Sequence, residues 1–183
     1  MIIKNSTPPT KESKESLCEK NCTWSSFVIW FHKLYDRNWD DSSYTKISKI
    51  DNLHHFWGTF NNLPIVGSGM FFMMRENILP QWENEDNIDG GYISYKIDNS
   101  VLADTWKEVM IAYAAGYLAD NSDNLLLING VSVSPKKFYG IIKIWIKDNS
   151  IYINNFNSPN KIISDNIPKL NNAEAIYQKN SDK

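Results

Sequence analysis

Trp82 and Glu83, within Pro80-Gln81-Trp82-Glu83-Asn84-Glu85, set a large indole beside a carboxylate in a polar stretch that offers neither an obvious core. An indole face attracts a flat cation, and a carboxylate can accept two N–H bonds from the edge of the same ring. The pair suits a planar, positively charged, hydrogen-bond-donating ligand. The plainer alternative is a Trp that caps the edge of a core beside a solvated Glu. A second indole, Trp39, stands in the polar run Asp36-Arg37-Asn38-Trp39-Asp40-Asp41. It is either a ligand-facing plate or a rim aromatic lying back on the fold. Other chemistry is thin. Cys18 and Cys22 make a single C-x3-C with no second ligand pair for zinc, and read as reduced thiols of an intracellular protein. His54 and His55 diverge if helical and have no third ligand, so no metal is expected. No G-x-S-x-G, P-loop or metal cluster is present.

Composition narrows the partners. A formal net charge of −2 excludes broad, nonspecific binding to a nucleic-acid backbone, which needs a basic face, but allows one nucleotide in a pocket. Seven Trp and nine Tyr in 183 residues are many. Trp is rarely buried whole, so several should face grooves or partners. No apolar run reaches membrane-spanning length, and the N-terminus is too polar for a secretion signal. A cytoplasmic protein with no membrane partner and no cofactor is expected.

These residues must be positioned by a scaffold, and the hydrophobic patterning describes one. Residues 1–22, rich in Ser, Lys, Glu and Pro, predict a disordered tail. Residues 23–183 predict a single domain, with the Asn-rich part from about 158 weakly assigned. Strands are predicted over 24–34, 44–50, 69–74, 92–97, 125–133 and 141–146, with a short one over 151–153. Asp51 is the expected N-cap of a helix to about Phe60, on which Leu53 and Trp57 share one face and Phe56 and Phe60 another. Leu102, Trp106, Val109, Met110 and Tyr113 repeat at helical spacing over 101–118, with Gly116 near the end. Asp120 to Asn124 reads as a polar turn, Gly130 as a bulge, and Lys136 to Gly140 as a hairpin loop. The predicted class is α+β: a curved, largely antiparallel sheet with long helices on its convex face and ligand-binding loops on the concave side.

In order along the chain, these segments resemble the eukaryotic translation initiation factor 4E family, which binds the 7-methylguanosine cap of messenger RNA. Trp30-Phe31-His32-Lys33 is similar to its Trp-Phe-Phe-Lys strand. Ile47 to Asp51, followed by Phe56-Trp57, is similar to its first strand-to-helix passage. Pro80 to Glu85 with Gly90-Gly91 resembles its cap-reading loop, Trp106 its second long helix, and Ile128 to Val131 with Ile144-Trp145 its last hairpin. The resemblance spans about Phe27 to Trp145.

The resemblance implies roles. Trp39 and Trp82 would sandwich the N7-methylated, cationic guanine, and Glu83 would accept its N1–H and N2–H bonds. Lys136 and Lys137 would meet the triphosphate. Leu53, Trp57, Val109 and Met110 would dock the Tyr-x4-Leu-apolar helix of a 4G-type scaffold or 4E-binding protein. The chain would act as a monomeric, non-catalytic recruiter of capped mRNA to translation initiation. The alternatives are a cap-binding repressor that does not recruit the scaffold and a nucleotide-processing enzyme using Glu83 or Glu85 as a base. Departures from the family pattern are visible. The Trp30-to-Trp39 gap is a residue short, leaving Tyr44 as an alternative stacker. The family's Arg and Lys phosphate pair falls on Lys136 and Ile141, with Lys137 or Lys143 as substitutes, although strand alternation could turn Lys143 away. The family's His-Pro-Leu entry motif is missing before Phe27, and Lys107 replaces an apolar residue on the docking face.

Overall fold

The computed structural model describes residues 22–149, 163, 167, 169–170 and 175–182. Seven strands among these residues, β1 (Cys22–Lys33), β2 (Tyr44–Asn52), β3 (Gly69–Arg75), β4 (Gly91–Asp98), β5 (Ile128–Pro135), β6 (Tyr139–Ile146) and β7 (Ile176–Lys179), form one curved sheet. Their spatial order is β2–β1–β3–β5–β6–β4–β7, and every neighbouring pair is antiparallel. Among the described residues, three helices follow the chain as α1 (Leu53–Phe60), α2 (Leu102–Ala115) and α3 (Ser122–Leu126). This is the expected α+β architecture.

The period of two along each strand sorts side chains onto two faces. Phe27 and Ile29 of β1, Phe71 and Met73 of β3, and Ile142, Ile144 and Ile146 of β6 bury against Phe56 of α1 and Trp106, Met110 and Tyr113 of α2. The intervening residues turn to the opposite face. There Met70, Phe72, Met74 and Trp145 form a second, smaller cluster with Trp30, Tyr44 and Trp82 packed on it. Each large apolar side chain taken fully from water contributes about 1.5–3 kcal/mol, so the helix-side core dominates stability. The smaller cluster mainly shapes the opposite face.

Several boundaries differ from the sequence reading. The N-cap of α1 is Asn52 rather than Asp51: Asn52 Oδ1 accepts from the His55 N–H at 2.8 Å, while the Asp51 carboxylate meets His55 Nδ1 at 2.8 Å. Extension of β2 through Asn52 moves the cap one residue on. α2 stops at Ala115 because Gly116 takes φ 82, and its N–H reaches back to Ala112 and Tyr113 carbonyls. The turn expected over Asp120 to Asn124 instead starts α3, capped by Asn121 on the Asn124 N–H, and this places Leu125 in a helix rather than in β5. The register does shift between Ile128 and Gly130, where a bulge was expected. β1 begins at Cys22, an exposed free thiol. Except for Cys22, the expected tail lies outside the described residues, as does the strand expected over 151–153. The weakly assigned C-terminal part supplies β7, which pairs with β4.

Candidate ligand-binding site

A cavity of about 430 Å³ opens on the sheet face opposite the helices. Its wall includes Trp39, Tyr44, Trp82, Lys136 and Lys143, with Phe72 and Trp145 among its apolar lining. A mostly apolar hollow with a few polar groups is the usual form of a small-ligand site. Two loops and one hairpin build it.

The loop between β1 and β2 carries Trp39 and is held by a ladder of short polar side chains. Asp36 Oδ1 accepts from the Asn38 N–H at 2.9 Å, Asn38 Oδ1 from the Asp40 N–H at 3.1 Å, and Asp40 Oδ1 from the Ser42 N–H at 3.0 Å. Asp and Asn favour such bonds to the amide two residues on. The bonds from Ser42 and from Asn38 hold the Asp40 carboxyl below the usual carboxylate range. His32, on β1, lies parallel to Trp39, with ring centroids 4.2 Å apart and an 8° tilt. His32 is wholly buried, and its ring nitrogens meet the Lys33 carbonyl at 2.9 Å and the Asn38 carbonyl at 2.8 Å. The ring therefore sets both the plane of Trp39 and the backbone one residue before it. Trp39 stays 50% exposed.

The loop between β3 and β4 carries Trp82 and Glu83. It is pinned from below by Asn87, which is buried and donates to the Leu79 carbonyl at 2.9 Å and the Gln81 carbonyl at 2.7 Å. Asn129 of β5 donates to Asn87 Oδ1 at 3.0 Å and to the Asp86 carbonyl at 2.6 Å, and Asn180 donates to the Asn87 carbonyl at 2.7 Å. Three buried amides thus tie this loop to β5 and to the C-terminal turn. At the end of the loop, a Cβ on Gly90 would lie 1.9 Å from the Ile146 carbonyl, so the expected turn glycine is required by close approach of two backbones. Gln81 Nε2 donates to the Trp39 carbonyl at 3.1 Å, which ties the two tryptophan loops to each other.

Trp82 is half-buried, resting on the smaller cluster while lining the cavity. Glu83, next in sequence to Trp82, is exposed and, against the expectation, lies outside the cavity wall. Burial, followed by the charge of Glu83, pushes the Tyr44 phenol well above its ordinary range.

On the hairpin, Ile141, Lys143 and Trp145 of β6 share the cavity face, because residues two apart point the same way. Alternation therefore brings Lys143 in rather than turning it away. Its Nζ lies 3.8 Å from the Tyr92 ring centroid. Lys137 departs from the expectation: it lies outside the cavity wall, and its Nζ sits 5.1 Å over the Phe138 ring. Ser134 Oγ, in the cavity wall, is buried with no hydrogen-bond partner among the described residues, so it can serve a ligand oxygen. Among the described residues, no group of three or more His, Cys, Asp or Glu is placed to hold a metal ion.

On the helix face, Trp57 is 44% exposed and Leu53 is partly so. Val109 and Met110 are corrected: both are fully buried in the main core, since they belong to the same stripe as Trp106 and Tyr113. The outward face of α2 presents Lys107, with Glu108 and Ile111 partly exposed, and Glu108 is paired with Lys169 at 2.7 Å.

Sequence reasoning missed three contributors: His32, Gln81 and the Asn87–Asn129–Asn180 group. A signal existed for the first, a His where the resembling family has Phe. The alternation of Asp36, Asn38, Asp40 and Ser42 was a signal for the ladder that the sequence reading left unused. An aromatic stack of this kind is worth about 0.5–1.5 kcal/mol. His32→Ala should accordingly raise acrylamide quenching of the protein's fluorescence, and Trp39→Phe in the same background should remove the rise. His32→Phe, which keeps the stack but not the bond to Asn38, should fall between.

The chain matches the family described as Eukaryotic initiation factor 4E over residues 22–183. Eukaryotic translation initiation factor 4E of Candida albicans is 25% identical over 149 residues, covering 75% of this chain and 69% of that protein. The Dictyostelium discoideum protein of the same name is 29% identical over 134 residues, covering 68% of this chain and 50% of that one. Among solved structures, Caenorhabditis elegans eIF4E-3 in complex with the 4E-binding protein Mextli and a cap analog superimposes with a TM-score of 0.75 at 20% identity, covering 88% of this chain and 94% of that one. Ascaris suum eIF4E-3 in complex with an m7G cap gives 0.63 at 19% identity, covering 75% and 82%. These structural likenesses concern the fold.

Proposed function

This chain belongs to the eukaryotic initiation factor 4E family, and from that premise we propose that it binds the 7-methylguanosine cap of messenger RNA and brings the message to translation initiation. The observation that supports this best is the convergence of Trp39 and Trp82, from two separate loops, on one cavity, with Glu83 the residue next to Trp82. In this reading the methylated guanine enters between the two indoles. N7 methylation gives the base a positive charge, and each indole face attracts it by about 2 kcal/mol or more once water is excluded. The Glu83 carboxylate swings over the base edge to accept N1–H and N2–H. Both are charge-assisted bonds, roughly twice as strong as neutral ones.

The phosphates run along the hairpin. Lys136 and Lys143 supply the cations there, and Ser134 Oγ offers a neutral donor. Lys143 thus fills the role left vacant by Ile141, from the next position on the same strand face. Two ammonium groups lack the planar fork of Arg, so the phosphate grip is looser and more sensitive to salt. Binding of this kind needs neither a nucleophile nor a base, and in this reading the chain acts as a non-catalytic binder in the cytoplasm.

The decisive test is tryptophan fluorescence on titration with 7-methyl-GTP and with GTP. Strong quenching by the methylated nucleotide and a dissociation constant at least about tenfold weaker for GTP are expected. Equal affinities would remove the stacking model. Lys136→Ala and Lys143→Ala should each weaken binding by about tenfold at low salt and flatten its salt dependence, while the preference for the methylated base survives.

The helix face supports a second contact. We assign to the Tyr-x4-Leu-apolar helix of a 4G-type scaffold or 4E-binding protein the outward side chains of the two helices: Trp57 and Leu53 on α1, and Lys107 and Ile111 on α2. Lys107 makes this set more polar than an all-apolar groove. A chain that binds caps but not the scaffold would act as a repressor, and capture by a scaffold-derived peptide separates the two roles.

A further inference from the structure

Three large apolar side chains stand out as the most exposed among the described residues: Tyr35 at 89%, Ile65 at 85% and Phe138 at 75%. Tyr35 and Ile65 line a second groove, of about 830 Å³, at the end of the sheet. It is built by the residues just after β1, those before β3, the start of α2 and the β5–β6 turn. Phe138 follows Lys137 in that turn, and Asn99 Nδ2 holds the turn by donating to the carbonyls of Lys136 at 3.3 Å and Lys137 at 3.4 Å. Lys136 lines both this groove and the cavity described above, so the two are joined at one cation.

We infer that this groove carries the first transcribed nucleotides of the capped RNA. The inference rests on the cap-binding reading and extends it past the triphosphate. A strand whose phosphates leave the cavity at Lys136 runs directly into the groove. Exposed rings beside lysines are the usual platform for single-stranded nucleic acid, because every base has a face to stack and every phosphate a charge to neutralise. Tyr35 and Phe138 supply the rings; Lys136 and Lys137 supply the charges. The neighbouring carboxylates of Asp36 and Asp98 are taken up by the Asn38 and Ser100 amides, which lessens their repulsion of a phosphate chain. A protein segment is the less suitable occupant, since the join to the cavity is a cation and the groove's apolar floor is broken by two lysines.

The experiment compares dissociation constants for 7-methyl-GTP and for a short capped oligoribonucleotide of mixed sequence, using the full chain and Tyr35→Ala/Phe138→Ala. Both side chains are exposed, so the variant should fold, and neither lies in the cavity wall. Wild type should hold the oligonucleotide about tenfold more tightly than the nucleotide, as stacking one or two bases allows. The double variant should lose most of that advantage with its affinity for 7-methyl-GTP unchanged. Equal wild-type affinities for the two ligands, or an advantage that survives in the variant, would overturn the inference and leave the cap site standing. Failure of wild type to bind 7-methyl-GTP at all would overturn both.

Discussion

Trp82→Ala will abolish retention on 7-methylguanosine resin and lower solution affinity for 7-methyl-GTP by roughly a hundredfold or more. Loss of one stacking plate removes about 1–3 kcal/mol. The surviving plate, Trp39, then faces a ligand whose other side is wet, and its own cation–π attraction falls as water screens it. The two losses multiply. Because Trp82 is half-buried on the cluster of Met70, Phe72, Met74 and Trp145, a control must separate packing from recognition. Trp82→Leu restores apolar bulk without a π face, and should recover thermal stability but not binding. Glu83→Ala should show the converse: stability is unchanged, as expected of an exposed side chain, and binding is lost because the base edge has no acceptor. Glu83→Gln should also fail, since its amide presents one acceptor where two donors need two. Cap binding that survives in both Trp82→Leu and Glu83→Gln would rule out this pocket as the site.

The second large effect lies on the other side of the sheet. Trp57→Ala should reduce capture of a Tyr-x4-Leu-apolar peptide by at least about thirtyfold, the scale of a central aromatic anchor, and leave 7-methyl-GTP affinity within about twofold of wild type. Trp57 is half exposed on α1, with Phe56 and Phe60 edge-on at 5.2 and 5.3 Å holding its ring. It touches nothing in the cavity wall. Val109→Ala and Met110→Ala, by contrast, should lower thermal stability, because both side chains fill the main core. The cost is about 2–5 kcal/mol for a buried Met cut to Ala. Loss of peptide binding only in proportion to unfolding would confirm that α2 docks through its other face. A Trp57→Ala variant that still captures the peptide would move the docking site elsewhere.

The two opposed faces explain why these effects should separate. A sheet residue and its neighbour in sequence point in opposite directions, so the cap-side and helix-side functions are interleaved along the same strands. On β1, Phe27 and Ile29 serve the helix core while Trp30 and His32 serve the cavity side. A one-residue slip of that strand would exchange the two roles.

By itself, the sequence determined the strands from β1 to β6, the two long helices, the α+β class and the two indoles worth watching. The elements and their class are written in local periodicity, two residues per repeat on a strand and three and four on a helix, and the indoles stand out by their polar neighbours. The same periodicity shows that Val109 and Met110 belong to an apolar stripe, but it cannot say whether that stripe meets a core or a partner. Only the tertiary structure decided this, by laying the stripe on β1, β5 and β6. It also decided which lysines converge, choosing Lys143 and turning Lys137 outward. The stack of His32 on Trp39, the bond from Gln81 to the Trp39 carbonyl, and the joining of Asn87, Asn129 and Asn180 were settled there too. Those contacts depend on strand order and loop closure, which bring together residues up to 93 positions apart. No repeat along the chain encodes such a meeting, because its free energy arises only after the sheet has formed and brought the loops into reach of one another.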